Sequence, residues 1–252
     1  MRDLHSRFRA ANSPETSADE LKSLSLDESE MVRASVVHNP SKPIASIEIL
    51  FNDKSNHVQE ALTMNGFPTS QDIIQCKSIT GKNIILRNAH PDDAGFIVKI
   101  RTDAKKGRFI SSTSSDVEKQ RQWLESYLKS TGQAYFVITD IEGRSIGTVR
   151  LYDQQGDSFC WGSWVIEDSA QPNAAIESAL LVYYYGLKIG FTASHFDVRK
   201  GNHSVIKFHE RFGAKITGKT ELDILFEIKK ENIEKSLTKY KKYLPGNVRV
   251  EF

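Results

Sequence analysis

The chain has 252 residues, of which 39% are hydrophobic, 10% aromatic and 26% charged; that is apolar surface enough for one large core or two small ones, and it excludes disorder over the whole length. Its 34 Lys and Arg against 32 Asp and Glu leave a net charge of +2, and the −4 carried by residues 1–76 makes a nucleic-acid-binding N-terminal arm unexpected. Cys76 and Cys160 stand far apart without a C-x-x-C spacing, which excludes a disulfide framework and fits a reducing, cytoplasmic setting.

The first segment, read as a separate domain over residues 1–78, repeats. A shift of 26 residues superposes Pro14 on Pro40, Leu24 on Leu50, Asp27 on Asp53, Ser29 on Ser55, Val32 on Val58 and Asn39 on Asn65. Each unit predicts a Pro-marked helix start, a short apolar helix (Leu21, Leu24; Ile47, Leu50), an Asp turn, and a second helix led by Val32 or Val58. A third copy begins at Asn65 and fades, with Ile73 where Leu21 and Ile47 stood. Units of this kind stack because none buries its apolar face alone. The pattern resembles variant leucine-rich or HEAT-like helical repeats, which implies a scaffold, a dimerisation module or a substrate-shaping element, and a possible homo-oligomer. Residues 1–76 hold 7 basic and 11 acidic side chains, a net of −4, so the remainder carries +6. Neither export nor membrane insertion is expected: Met1 to Glu15 lacks an apolar signal region, and the most hydrophobic stretch, Ala179 to Leu187, falls far short of the roughly 20 residues of a span.

Residues 79–252 alternate strands and helices. Asn83–Arg87 reads as a strand, and Pro91-Asp92-Asp93 opens a helix that continues through Ala94–Arg101. Val117, Trp123, Leu124, Tyr127 and Leu128 mark one face of a second helix. Tyr135–Thr139, Ser145–Leu151 and Phe159–Ile166, separated by Gly-bearing turns, predict an antiparallel meander. A helix over Ala174–Ile189, a strand over His195–Val198, a helix over Ser204–Phe212, a strand over Asp223–Ile228 and a basic C-terminal helix close the order. The alternation predicts an α/β (α+β) domain, a mixed sheet with helices on both faces.

That order, with Phe196-Asp197-Val198-Arg199-Lys200-Gly201-Asn202 running into Val205-Ile206-Lys207-Phe208-His209-Glu210-Arg211-Phe212-Gly213-Ala214, resembles the GCN5-related N-acetyltransferase (GNAT) superfamily over residues 83–230. Within it, Gly147–Asp153 followed by Trp161–Ile166, together with the Arg101 region, the Arg108-Phe109-Ile110-Ser111 loop and Trp123, is similar to bacterial N-acyltransferases acting on nucleotide-linked amino sugars. The resemblance implies a GNAT fold with a splayed central sheet and an acyl-CoA donor carrying an acetyl or a longer or hydroxylated acyl group. It also implies a nucleotide-sugar acceptor used in surface-polysaccharide synthesis. Two other readings stay open: an acetyltransferase for protein or peptide amino termini, and a non-catalytic regulator that keeps the fold.

Acyl transfer from a thioester to an amine needs a polarised carbonyl, removal of an amine proton and protonation of the departing thiolate. By the resemblance, the N–H groups of Val165 and Ile166 hold the pantetheine arm and the thioester oxygen. The pyrophosphate sits at the helix start formed by Asn173, Ala174, Ala175 and Ile176, where the helix dipole favours anions. There the family's (Q/R)-x-x-G-x-(G/A) loop becomes Gln171-Pro172-Asn173-Ala174-Ala175-Ile176, and Ile176 adds bulk near the phosphates. Asn202 would both cap the following helix and touch the pantetheine, with Phe208 beside it. His209 stands where the family has a tyrosine that protonates the leaving sulfur, and an imidazole titrating near neutrality can do the same; the alternative is an exposed helical histidine. Glu167, Asp197 and His195 are the candidate bases. Arg108 and Arg150 are candidates for a diphosphate, and Trp161 and Trp164 for a stacking wall or the core. The histidines lack metal-ligand spacing, so no metal site is expected. Cys160 reads as core, which favours direct attack in a ternary complex.

Overall fold

A computed structural model of the chain describes residues 3–51, 53–65, 67, 72–110 and 113–252, and its contacts separate two units, Met1–Asp72 and Ile73–Phe252. The division falls earlier than residue 78 because Ile73 and Cys76 are buried in the core of the second unit.

The first unit consists of helices α1 (Leu4–Asn12), α2 (Ala18–Leu24), α3 (Glu30–His38), α4 (Ile44–Leu50) and α5 (Asn56–Met64). The long helices start at Leu4, Glu30 and Asn56 and the short ones at Ala18 and Ile44, so every start recurs after 26 residues. Helix α1 is thus a further copy of the long helix, hidden in the sequence because Ser6 stands where the others have Val32 and Val58. Ion pairs recur with the same period. Arg7 bonds Asp27 at 2.8 Å, Arg33 reaches Asp53 at 3.0 Å, and each aspartate also accepts the N–H of Ser29 or Ser55 at 2.9 Å. Burial pushes the Asp53 carboxyl up, but the Arg33 guanidinium and the Ser55 N–H outweigh it and hold it below the usual range. The next rung carries Gln59, which donates to the Asp53 carbonyl at 2.7 Å. Much of the third copy expected from Asn65 lies outside the described residues, and Ile73 serves the second unit's core instead.

The second unit runs β1 (Ser78–Thr80), β2 (Ile84–Asn88), α6 (Ala94–Arg101), α7 (Val117–Tyr127), β3 (Ala134–Asp140), β4 (Ser145–Gln155), β5 (Ser158–Ile166), α8 (Ala174–Lys188), β6 (Ala193–Arg199), α9 (His203–Arg211), β7 (Lys215–Lys219), β8 (Asp223–Lys229), α10 (Lys230–Lys239) and β9 (Arg249–Glu251). Among the described residues these strands form one sheet in the order β7-β8-β6-β5-β4-β3-β2-β1-β9. The β5–β6 pair is parallel and its neighbours are antiparallel. Strand β3 sits centrally and alternates between two cores: Phe136 and Ile138 face the one that holds α8, while Tyr135 and Val137 face the one that holds α6 and α7. Helix α8 lies so close to β5 that a Cβ on Gly186 would fall 2.2 Å from the Phe159 ring, a separation that only glycine permits. Strands β1, β7 and β9 carry little sequence signal: two have three residues, and β7 has four of its five residues exposed. Among the described residues no helix is long and apolar enough to cross a membrane.

One buried carboxyl fixes the start of α8. Glu177 is fully buried and accepts the N–H groups of Lys82, Asn83 and Ile84 and the Asn83 side-chain amide at 2.9 Å. Gln171 completes the clamp by donating to the Asn83 carbonyl at 2.8 Å. Glu177→Ala leaves these buried donors without their acceptor, so chemical denaturation is expected to show a loss of about 3 kcal/mol, the order of one or two orphaned buried groups. A loss within about 0.5 kcal/mol, the range of an ordinary surface substitution, would contradict that role.

Candidate active site

Strands β5 and β6 pair over three residues only, Ser158–Cys160 with Ala193–His195. Beyond them the strands part, and a cavity of about 230 Å³ opens between Trp161–Trp164 on β5, Phe196–Arg199 on β6, and Asn202 and His209 at α9. The local cause sits in β5. Ser163 has φ +49°, a left-handed conformation that is uncommon outside glycine, and the β4–β5 register shifts between Thr148 and Arg150 opposite it. Such a bulge re-aims the strand. Thr148 Oγ1 secures it by donating to the Ser163 carbonyl at 2.8 Å.

His209 lies deep in this cleft, 4% exposed, with ring centroids of Phe196 at 4.2 Å, Trp161 at 5.3 Å and Phe208 at 5.5 Å. Burial pulls its imidazole down to about 3, and its Nδ1 has no hydrogen-bond partner. The reading of an imidazole titrating near neutrality is therefore corrected: inside five-fold aromatic packing the charged form has nothing to solvate it. A neutral His209 can donate or accept one hydrogen bond to whatever enters the cleft. Asn202 also lines the cavity; its side chain caps no backbone N–H of α9, and its Oδ1 accepts from the Ser204 hydroxyl at 3.2 Å, so what it offers the cleft is its amide N–H. Phe208 stacks on Phe212 at 4.6 Å and packs near Trp164.

The remaining sequence candidates divide by position. Asp197 lines the cleft; burial and then the neighbouring Asp223 charge push its carboxyl up. Glu167 lies elsewhere, paired with Lys99 at 3.1 Å in a separate depression with Lys106 and Asp168. His195 is engaged by Ser158 at 2.8 Å and Asp153 at 3.5 Å. Val165 and Ile166 lie just beyond the stretch of β5 that lines the cavity, and the Ile166 carbonyl accepts from Lys106 Nζ. At the start of α8, Ala174 donates back to the Gln171 carbonyl, while Asn173 is exposed and makes no side-chain cap. The first-turn N–H groups of Ala175 and Ile176 have no acceptor within the helix. The Ile176 side chain packs against the core, which relieves the crowding expected of it near phosphates. Cys160 is buried, and burial pushes its thiol up to about 12, so it is no nucleophile.

A second cavity, of about 520 Å³, adjoins the first at Tyr152 and Ser163. Its polar lining is cationic, with Arg101, Lys119 and Arg150, and its wall is aromatic, with Trp123, Tyr135 and Tyr152. Asp116 also lines it, but its carboxyl accepts the N–H groups of Glu118 and Lys119 at the start of α7. Arg150 lies 5.0 Å from the Trp123 ring and 5.1 Å from the Tyr152 ring, donates to Gln133, and keeps a buried Nε without a partner. Burial and the nearby Arg101 charge press its guanidinium down. Trp161 and Trp164 are not part of this wall; they belong to the first cleft, and Trp164 Nε1 donates to Ser178 at 3.0 Å. The aromatic face on this side is Trp123, stacked on Tyr127 at 5.7 Å. The Arg108 side chain and Ser111 lie outside the described residues. Tyr152 and Ser163 line both cavities. Among the described residues no group of three or more His, Cys, Asp or Glu could hold a metal ion.

An acetyltransferase (GNAT) domain model matches residues 83–215. Among solved structures, FdhC, described as a nucleotide-linked sugar GNAT in its apo form, is 34% identical, with 67% of this chain and 98% of that chain covered and a TM-score of 0.60. A GCN5-related N-acetyltransferase from Brucella melitensis is 16% identical over 70% of this chain and 89% of its own, with a TM-score of 0.58. A GNAT acetyltransferase from Bacillus anthracis is 17% identical over 61% and 99%, with a TM-score of 0.54. No curated protein matches the chain.

NMR of histidine-labelled protein is expected to keep His209 neutral at every pH above about 4. The unfolded imidazole takes its proton near pH 6.5 and the folded one near 3, so His209 contributes stability that is complete above pH 6.5 and lost as pH falls toward 3. A titration midpoint near 6.5 in the folded protein would contradict the burial argument.

Proposed function

We propose that this chain, which belongs to the GNAT acetyltransferase family and is a coenzyme A-dependent N-acyltransferase, acylates the amine of a nucleotide-linked amino-deoxysugar by direct attack in a ternary complex. The cationic, aromatic-walled cavity carries the reading. A nucleoside diphosphate brings two anionic phosphates and a flat base, and the Arg150 guanidinium with its orphaned Nε, the neighbouring Arg101 and Lys119, and the exposed edge of Trp123 are the groups that suit them. The likeness to FdhC, described as acting on nucleotide-linked sugars, supports the same class. The same lining disfavours a peptide amino terminus, which would bring positive charge to a positive wall.

The donor side fits an acyl-CoA thioester. Where β5 and β6 part, their facing N–H and C=O groups lose their ladder partners, and a pantetheine arm carries amides that can satisfy them. His209 Nδ1 and the Asn202 amide add polar atoms beside the aromatic wall of Trp161, Trp164 and Phe196. The α8 start, with Asn173, Ala175 and Ile176, suits the pyrophosphate. Bound there, the thioester supplies an activated acyl carbon; this chain holds it dry among Trp161, Trp164 and Phe196, and Ser163 marks the point where the two cavities communicate.

Purified protein given acetyl-CoA and a panel of UDP- and dTDP-linked amino sugars is expected to release free thiol with at least one of them. Arg150→Met should raise KM for that sugar about 10- to 100-fold, the equivalent of a lost charged hydrogen bond, with kcat much less affected. Equal turnover of an amino sugar stripped of its nucleotide, or thiol release only with peptide amines, would sink the acceptor reading.

A further inference from the structure

The amine that attacks a thioester loses a proton and the departing sulfur gains one; of the expected bases only Asp197 lines either cavity, and it lines the β5–β6 cleft alone. His209 is neutral, and a neutral imidazole gives up its remaining proton only far above physiological pH. Glu167 lies outside both cavities. Tyr152 stands where the two transfers meet. It projects from β4 at the junction, lining the acceptor cavity and the donor cleft alike. Its hydroxyl lies over Gly162, on the stretch of β5 that leads into the cleft: a Cβ at that position would come 2.8 Å from Tyr152 Oη. Gly162 therefore makes the room in which the hydroxyl sits. Across the ladder Tyr152 pairs with Cys160, and its ring carries the Arg150 guanidinium at 5.1 Å.

We propose that Tyr152 is a catalytic residue that relays the proton from the attacking amine to the departing sulfur. The amine nitrogen bonds the acyl carbon, and the carbon–sulfur bond breaks with its electron pair on sulfur. The Tyr152 hydroxyl hydrogen passes to that sulfur, and the proton leaving nitrogen passes to Tyr152 Oη. The products are the amide and the free thiol, with Tyr152 unchanged. Burial, with the neighbouring Cys160 and Asp197, raises the phenol above its ordinary value, so it is protonated at the start of each cycle. Because one proton arrives as the other leaves, no phenolate has to accumulate. The inference rests on amide formation from a thioester and holds for any amine acceptor.

Three variants test it, each first checked by melting temperature and by calorimetric binding of acetyl-CoA. Tyr152→Phe, which removes one oxygen, is expected to bind acetyl-CoA as the parent does while kcat falls about 100-fold or more, the usual worth of a positioned proton donor. Its solvent deuterium isotope effect should shrink toward unity. Gly162→Ala, which keeps the tyrosine but displaces its hydroxyl, should lower kcat in the same direction. Turnover is read as thiol release from acetyl-CoA with the nucleotide-linked amino sugar that the parent accepts. If the parent accepts none, hydroxylamine serves as the amine, so that failure of the acceptor reading is separated from failure of the relay. A Tyr152→Phe protein with kcat within about two-fold of the parent overturns the relay, as does a collapse of kcat in Ser163→Ala with Tyr152→Phe spared. A parent that releases no thiol with either amine overturns it as well.

Discussion

The site depends on one interruption in the sheet: β5 and β6 stay paired for three residues and then separate. A sheet interior does not leave backbone groups unpaired without a partner in reserve, so the opening defines a place for a ligand that can act as a strand. The surrounding features follow from it. Ser163 takes a left-handed conformation at the point of departure, Gly162 clears space for Tyr152, and α9 lays His209 and Asn202 across the gap. The Glu177 clamp holds the start of α8, fixing one end of the same opening to the β1–β2 turn.

Charge and burial distinguish the two adjoining cavities. In the β5–β6 cleft His209 is kept neutral by burial among rings and the Tyr152 phenol is raised by desolvation, while Asp197 and Arg199 line its β6 wall. On the acceptor side Arg101, Lys119 and Arg150 collect around an aromatic wall. The near-neutral total of +2 thus conceals a positive catalytic unit and an acidic helical one. The ring-walled part of that cleft suits a thioester, whose attack is slowed by stray water. A cationic cavity suits a polyanionic acceptor.

Much of this was legible in the sequence where the signal is local. The strand–helix alternation, the 26-residue period and the run from Phe196 to Ala214 all depend on residues near each other in the chain. What escaped depends on contacts across it. Glu177 reads as an ordinary acid in a helix's first turn until its partner Asn83, 94 residues away, is placed beside it. His209 reads as a titratable helical residue until β6 and β5 enclose it with Phe196 and Trp161. Trp161 and Trp164 read as core or as a stacking wall, and only the fold shows that they line the β5–β6 cleft while Trp123, on α7, lines the cationic cavity. Edge strands such as β7 escaped because exposed polar residues carry no alternation.

The central claim is that the gap between β5 and β6 is the acyl-donor site. Amide hydrogen exchange with and without acetyl-CoA tests it most directly, because unpaired strand amides exchange quickly until a ligand pairs with them. Acetyl-CoA is predicted to slow exchange at Gly162–Trp164 on β5 and at Asp197–Arg199 on β6, with a further effect at Ala175 and Ile176. Binding that leaves those amides unchanged, or protects the cavity around Trp123 and Arg150 instead, would contradict the account.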